Sequence, residues 1–493
     1  MKIKAYSLAM LSIPSACMAL SPEEKSHRPD LSHVISDYRK SLASMPLDYS
    51  LLEKKQLPGV MLQRYTLNSQ TWSPQGVVTP ERWQNQVDIY IPDSARQKYA
   101  LVAINNGSND NGSGSPLAPT SFKEEALTRI ATATRTVVIS VSNVPNQVLH
   151  YQGVTTPLAE DDSVAYTWKL FIGDIKRYQD APLQVPMSAS VSQAFRLAKR
   201  ELAQQKISKF IVTGASKRGW TAWLTAIADP DVEAIVPFVM DLLNTRKALE
   251  HMYRTYGQNW PIAFFPYYKQ NIDQQIATDK VASLMRLLDP LAYLHSDLSN
   301  RLRMEKYIIN ASGDDFYVPD NSRFYYGRLP GEKSLRVVAN STHNSVLSVS
   351  EQSLITFVNR FQMRKKLPEI TENVEGRNGG KKMLSVRFSE KPTTLLQWTA
   401  TNPVARDFRF ACNVKYTSAP VRPASGNKAL NIPLSTPESG WQATYVEATF
   451  SDGYVATTQV YITPDEKYPE TAPPALGDAC QTLPGRGLNS VAQ

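Results

Sequence analysis

Cysteine is nearly missing from this chain. Only Cys17, Cys412 and Cys480 occur among 493 residues, too few for a disulfide-stapled scaffold, a C-x-x-C pair or a thiolate metal cluster. Histidine is scarce as well, with six, and none stands in an H-E-x-x-H pattern. Neither G-x-G-x-x-G nor Gly-Lys-Ser/Thr occurs, which removes the common dinucleotide and phosphate loops. No cofactor and no metal is therefore expected. Beyond the first twenty or so residues, no apolar run is long enough to span a bilayer. The formal net charge is +9, but it is spread along the chain without the Lys/Arg block that grips nucleic acid. No nucleic-acid partner and no transmembrane segment are expected, and the oligomeric state is left open.

What is present is the balance of a folded protein, 42% hydrophobic and 20% charged. The length exceeds one ordinary domain. The opening "MKIKAYSLAMLSIPSACMAL" has two lysines before a short apolar run and small residues after it, the pattern of a secretory signal (residues 1–19) cut after Ala19. Export to the periplasm or beyond is the expectation. A lipoprotein acylated at Cys17 is the alternative, although "PSAC" lacks the usual leucine three residues before the cysteine. Cleavage would leave Cys412 and Cys480, which an oxidising compartment could pair; whether they are close enough is not readable from spacing.

Residues 20–75 read as a polar lead-in packing on the next domain. From 76 to 370, strand-like runs alternate with amphipathic helices. "QVDIYIP", "KYALVAINNG", "RTVVISVSNVP", "KISKFIVTG", "VEAIVPFVMD" and "EKYIINAS" are the strands; "SFKEEALTRIATAT", "DDSVAYTWKLFIGDI" and "SASVSQAFRLAKRELAQ" are helices. That alternation predicts an α/β fold, a mainly parallel sheet with helices on both faces. After the turn-rich "GRNGGKK" the period becomes two. "MLSVRFS", "TTLLQWTAT", "DFRFACNV" and "WQATYVEATFSDGYVATTQVYI" predict an all-β sandwich over 375–465, with Asp452-Gly453 as a hairpin turn. Residues 466–493 form a Pro/Gly-rich tail.

The stretch "VTGASKRGWTAW" joins a strand to a helix with Ser216 at the junction. A serine hydroxyl becomes a nucleophile when a base takes its proton and the backbone presents it on a tight turn among small residues. Here the spacing is G-x-S-x-x-G, with Gly214, Ala215 and Gly219 around the serine. A plain helix cap is the alternative use. In an α/β-hydrolase the acid and the histidine follow in that order, each after a later strand. "KYIINASGDDFYVPD" supplies Asp314, with Asp315 as its rival, and "SLRVVANSTHNS" supplies His343. For the oxyanion, the expected donors are the backbone N–H of Lys217 and the loop "INNGSNDNGSGS", chiefly Asn106 and Gly107. Ser108 and the side chain of Arg218 are candidates for binding substrate, with Lys217 and Arg218 available to an anionic group. The acidic "EDD" at 160–162 suits the start of a helix.

These residues, together with "DLLNT", "HMYRTYG", "DPLAYL", "RLPGEKSLRVVANSTH" and "LQWTATNPVARDFRF", resemble the PhoPQ-activated pathogenicity-related family, from about residue 30 to 465. The resemblance implies a secreted or periplasmic α/β-hydrolase-like protein with a C-terminal β domain, in a family associated with bacterial virulence and envelope responses. It places the serine, acid and histidine on Ser216, Asp314 and His343. Where the family often shows Asp-Glu, this chain has Asp314-Asp315. The S-K/R-x-G turn is also similar to that of glucuronoyl esterases, where the basic residue beside the serine assists the oxyanion, and this gives a slight weight to a uronate ester. Two functions follow as expectations. One is a serine hydrolase acting on a small-molecule or envelope-derived acyl substrate, an ester rather than an amide. The other is a non-catalytic binding or virulence protein on the same scaffold.

Overall fold

The structure, a computed structural model, describes residues 30–110, 114–376, 382–423 and 429–488. The expected export segment with Cys17, and residues 377–381 of the "GRNGGKK" break, lie outside the described residues. Nine strands build the central sheet: β1 (Asp48–Leu57), β2 (Val60–Thr71), β3 (Arg82–Pro92), β4 (Tyr99–Ile104), β5 (Val137–Val141), β6 (Lys209–Ala215), β7 (Val232–Phe238), β8 (Glu305–Ala311) and β9 (Lys333–Val338). They lie in the order β1-β2-β3-β5-β4-β6-β7-β8-β9. The pairs β1/β2, β2/β3 and β3/β5 are antiparallel. From β5 to β9 every pair is parallel.

Parallel neighbours need crossovers, and helices supply them. Glu124–Thr134 links β4 to β5, Glu160–Gly173 and Gln184–Glu201 link β5 to β6, and Lys217–Ala228 links β6 to β7. Their apolar sides cover a sheet whose side chains alternate. Ala100, Val102 and Ile104 enter one core with Trp168, Phe195 and Trp223. Leu101 and Ala103 enter the other with Leu127, Ile130 and Phe357. Both faces of β4 are therefore buried, which is why its sequence is apolar throughout. The chain is an α/β protein with a large mixed sheet, helices on it, and separate antiparallel β sheets after residue 370.

The polar segment before residue 75 does more than pack on its neighbour: β1 and β2 extend the sheet itself. β1 is exposed along almost its whole length, so it lacks the alternation by which a half-buried strand announces itself. In the C-terminal part, Ile370–Gly376, Lys382–Phe388 and Leu430–Leu434 form one sheet; Thr394–Asn402, Thr417–Pro420, Trp441–Thr449, Val455–Thr457 and Tyr461–Thr463 form another. Thr449 pairs with Val455 around Asp452-Gly453, and Gly453 takes φ +77°, as a hairpin there requires. The run "DFRFACNV" is not a strand. Phe410–Cys412 is a turn of 3-10 helix, pinned where Arg409 binds Asp407 and the carbonyls of Ala479, Cys480 and Gln481.

From Leu31 onward the chain clusters as one compact unit. Phe450, Tyr454 and Ala456 share a core with Tyr307 and Phe357. Within the Pro/Gly-rich tail, Thr482–Pro484 pairs antiparallel with Asn259–Pro261. Arg486 binds Asp273 at 2.6 Å and the Tyr268 carbonyl at 2.7 Å. Cys412 and Cys480 are joined by a disulfide, their Cα atoms 5.4 Å apart. Among the described residues, no helix is long and apolar enough to cross a membrane.

Candidate active site

β6 ends at Ala215, and the helix Lys217–Ala228 starts two residues on. Ser216 between them has φ 57° and ψ −127°, a conformation that costs a non-glycine residue roughly 1–3 kcal/mol. The surroundings hold it there. Its N–H donates to the Phe238 carbonyl at 2.9 Å. A Cβ on Gly214 would lie 2.5 Å from the Arg218 carbonyl oxygen, and one on Gly219 would lie 3.0 Å from that of Phe238. Strand and helix pack too closely for side chains at either glycine, which explains both glycines of G-x-S-x-x-G. The turn projects Ser216 into a cleft of about 790 Å³.

The acid and histidine sit on the loops after β8 and β9. These loops are tied together: Ser312 N–H donates to the Val338 carbonyl, Gly313 N–H to Ser341, and Asn340 N–H to the Ser312 hydroxyl. The segment around Phe410 braces them from behind. Phe410 N–H donates to the Gly313 carbonyl at 3.1 Å, and a Cβ on Gly313 would strike Phe410 at 2.5 Å. Asn340 and Tyr416 exchange two hydrogen bonds.

His343 Nδ1 lies 3.0 Å from both carboxylate oxygens of Asp314. Asp314 Oδ1 also accepts from the amides of Phe316 at 2.7 Å and Tyr317 at 3.2 Å. Asp314 is 3% exposed and His343 is 8% exposed, and the Phe316 ring packs 4.8 Å from the imidazole. His343 Nε2 is buried and bonds to no protein group. His343 and Ser216 line the same cleft. Asp315 lines that cleft too, but its Oδ1 has no partner; burial and the neighbouring Asp314 charge push its carboxyl above the usual range. Of the two rival acids, the one that meets the imidazole nitrogen is Asp314.

The expected donors and binding groups divide. As the first helical residue, Lys217 has a backbone N–H with no intrahelical acceptor. Asn106 reaches the cleft, but its N–H is taken by Asn105 Oδ1 at 3.1 Å and its amide nitrogen by Thr120 Oγ1 at 2.8 Å. Gly107 and Ser108 do not line the cleft. Ser108 turns inward to the Gln147 carbonyl at 2.8 Å.

Nor are Lys217 and Arg218 solvated or open to an anion. Lys217 Nζ lies 2.8 Å from Glu160 and 3.0 Å from Asp161. Arg218 binds Glu160 through both terminal nitrogens and the Val144 carbonyl through Nε at 2.7 Å. Burial works against the Lys217 ammonium, but Asp161 and Glu160 outweigh it and hold its pKa above the usual value. Burial likewise opposes the Glu160 carboxylate, and Arg218 and Lys217 overcome it, leaving that pKa well below the usual range. The "EDD" cluster does open a helix, yet its first two carboxylates also neutralise the cations beside the serine. With nearly sixty residues between the partners, sequence carried no signal of this.

Sheet order, a strained strand-to-helix turn and the chain order serine, aspartate, histidine are those of the α/β-hydrolase fold. Residues 35–409 match the family described as PhoPQ-activated pathogenicity-related protein, and the chain belongs to that family. It is 28% identical over 423 residues to "Autocrine proliferation repressor protein A" of Dictyostelium discoideum, covering 81% of this chain and 82% of that protein. Among solved structures it is similar to an acetyl xylan esterase from Paenibacillus sp. R4, with TM-score 0.44 and 13% identity, covering 66% of this chain and 93% of that one. A glucuronoyl esterase from Solibacter usitatus gives TM-score 0.38 and 12% identity, covering 66% and 90%.

Proposed function

We propose that the protein is a serine hydrolase that cleaves an ester through an acyl-enzyme. Ser216 is the nucleophile, His343 the base, and Asp314 the group that orients the imidazole and stabilises its cation. One observation carries the reading. The imidazole is anchored at Nδ1 by a buried carboxylate, while its unpartnered Nε2 shares a cleft with a serine held at φ 57°. A helix cap needs no such histidine. The Lys217 N–H supports the oxyanion. The salt links from Lys217 and Arg218 to Glu160 and Asp161 keep the turn in place. The Cys412–Cys480 disulfide favours an oxidising compartment, in line with export to the periplasm or beyond.

A fluorophosphonate probe tests this. The mature protein is expected to be labelled, and Ser216→Ala to lose labelling while keeping its circular dichroism. Labelling that persists in the alanine variant removes Ser216 from the role. A second reading, a non-catalytic signalling or binding protein on this scaffold, is favoured by the name of the Dictyostelium relative, an autocrine proliferation repressor. A folded protein that the probe never labels supports that reading.

A further inference from the structure

Two cavities meet at Ser216, and they differ in size and lining. One is the cleft of about 790 Å³ that also contains His343, with Asn106, Thr120, Ser121 and Asn344 on its walls. The other is an apolar slot of about 20 Å³, walled by Trp168, Trp220, Leu242, Leu249, Met252 and Phe264. Ser216, Lys217, Asp161 and Phe316 line both; His343 lines the cleft and not the slot.

An ester attacked at Ser216 has two arms, and the chemistry decides which goes where. Ser216 Oγ bonds to the acyl carbon, and the bond from that carbon to the alcohol oxygen breaks. The serine proton passes through His343 Nε2 to the departing alcohol. Water then splits the acyl-enzyme and releases the acid. The alcohol oxygen must lie within hydrogen-bond reach of Nε2, so the alcohol occupies the His343 side, which is the cleft. The acyl arm is left with the slot.

Resting on the serine-hydrolase reading, we infer that the substrate is a short-chain acyl ester, acetyl or propionyl, of a large, polar, uncharged alcohol of the carbohydrate type. The slot is about 20 Å³ against about 790 Å³ for the cleft, so the slot takes the smaller of the two arms. Its walls are braced. Trp220 Nε1 donates to the Leu288 carbonyl at 2.6 Å. The Trp168 ring stands edge-on to Trp220 at 5.6 Å, and Phe264 stacks on Tyr267 at 5.1 Å. Each added methylene must displace packed rings. In the cleft, both cations on the wall, Lys217 and Arg218, are bound by Glu160 and Asp161. The cleft then offers the Ser121 hydroxyl, the Asn344 amide and the Asp315 carboxylate, whose Oδ1 has no protein partner; these suit sugar hydroxyls and disfavour a uronate.

The test measures kcat/KM of the mature protein on p-nitrophenyl acetate, butyrate and octanoate, with acetate release from peracetylated glucose and turnover of methyl glucuronate in parallel. The expected result is a fall of at least tenfold from acetate to octanoate, release of acetate from the sugar, and no turnover of the uronate ester, whose acyl arm is a whole ring. Leu249→Ala and Leu242→Ala should move the optimum to butyrate or longer; if neither variant folds, the wild-type series decides. Octanoate hydrolysed as fast as acetate, or methyl glucuronate hydrolysed faster than the sugar acetate, overturns the inference while leaving a probe-labelled Ser216 intact. Failure of both labelling and hydrolysis ends the serine-hydrolase reading and takes this inference with it.

Discussion

Replacing Asp314 by asparagine is the sharpest perturbation of the proposed machinery, because the surrounding amides dictate how the new side chain must sit. The N–H groups of Phe316 and Tyr317 both point at Oδ1, at 2.7 and 3.2 Å. Two donors there select the carbonyl oxygen of the new amide. Its NH2 group then takes the place of Oδ2, which is 3.0 Å from His343 Nδ1. The NH2 group competes with the Nδ1 proton, although the carbonyl oxygen at Oδ1 lies equally near at 3.0 Å, and it favours the tautomer with the proton on Nε2 and Nδ1 as acceptor. A protonated Nε2 cannot take the proton of Ser216. The volume is unchanged and the fold should persist. The loss expected for a wrong tautomer is about 10³- to 10⁴-fold in kcat/KM, or ~4–5 kcal/mol of barrier. The assay is p-nitrophenyl acetate hydrolysis, with circular dichroism to show folding. Asp315→Asn serves as the control and should stay within about tenfold of wild type, since the Asp315 carboxylate does not touch the imidazole nitrogen. An Asp314→Asn variant within tenfold of wild type, or an Asp315→Asn variant more damaged than it, would refute this reasoning.

Two further outcomes concern stability. Asp320 is 1% exposed and binds Arg406 at 2.8 Å and His251 at 2.9 Å, with Arg406 itself fully buried; Asp320→Asn leaves that guanidinium without its counter-charge and should cost about 3–5 kcal/mol. Urea denaturation measures it, and a loss below about 1 kcal/mol would show that the network is not needed. Asp241 is buried, accepts from the Tyr325 hydroxyl, and has a pKa raised from 3.8 to about 8, chiefly by burial. The native state therefore keeps a proton that the unfolded chain releases above about pH 4, so this group makes stability fall as pH rises toward 8, by at most ~1.4 kcal/mol per unit. Asp241→Asn should flatten that decline between pH 5 and pH 7, and an unchanged slope in the variant would count against the assignment.

What the sequence determined by itself was local. The alternation of β-branched runs and amphipathic stretches marked β3 to β8, because each buried strand must be apolar and each crossover helix must hide one face. The glycine spacing around Ser216 marked a turn where strand and helix pack without side chains between them. The chain order of a serine, an Asp-Asp pair and a histidine, each after a strand, marked the loops that form the cleft. Tertiary structure decided the rest. It brought Glu160 and Asp161 onto Lys217 and Arg218, turned Ser108 away from the cleft, and set Asp314 rather than Asp315 against the imidazole. It wound "DFRFACNV" into a brace behind the acid loop and brought Cys412 to Cys480. It also gathered the slot beside Ser216 from residues between 161 and 317. The physical reason is the same in each case. Periodicity and turn chemistry act between neighbours along the chain, whereas ion pairing, side-chain direction and cavity shape depend on which distant segments the packed sheet brings together.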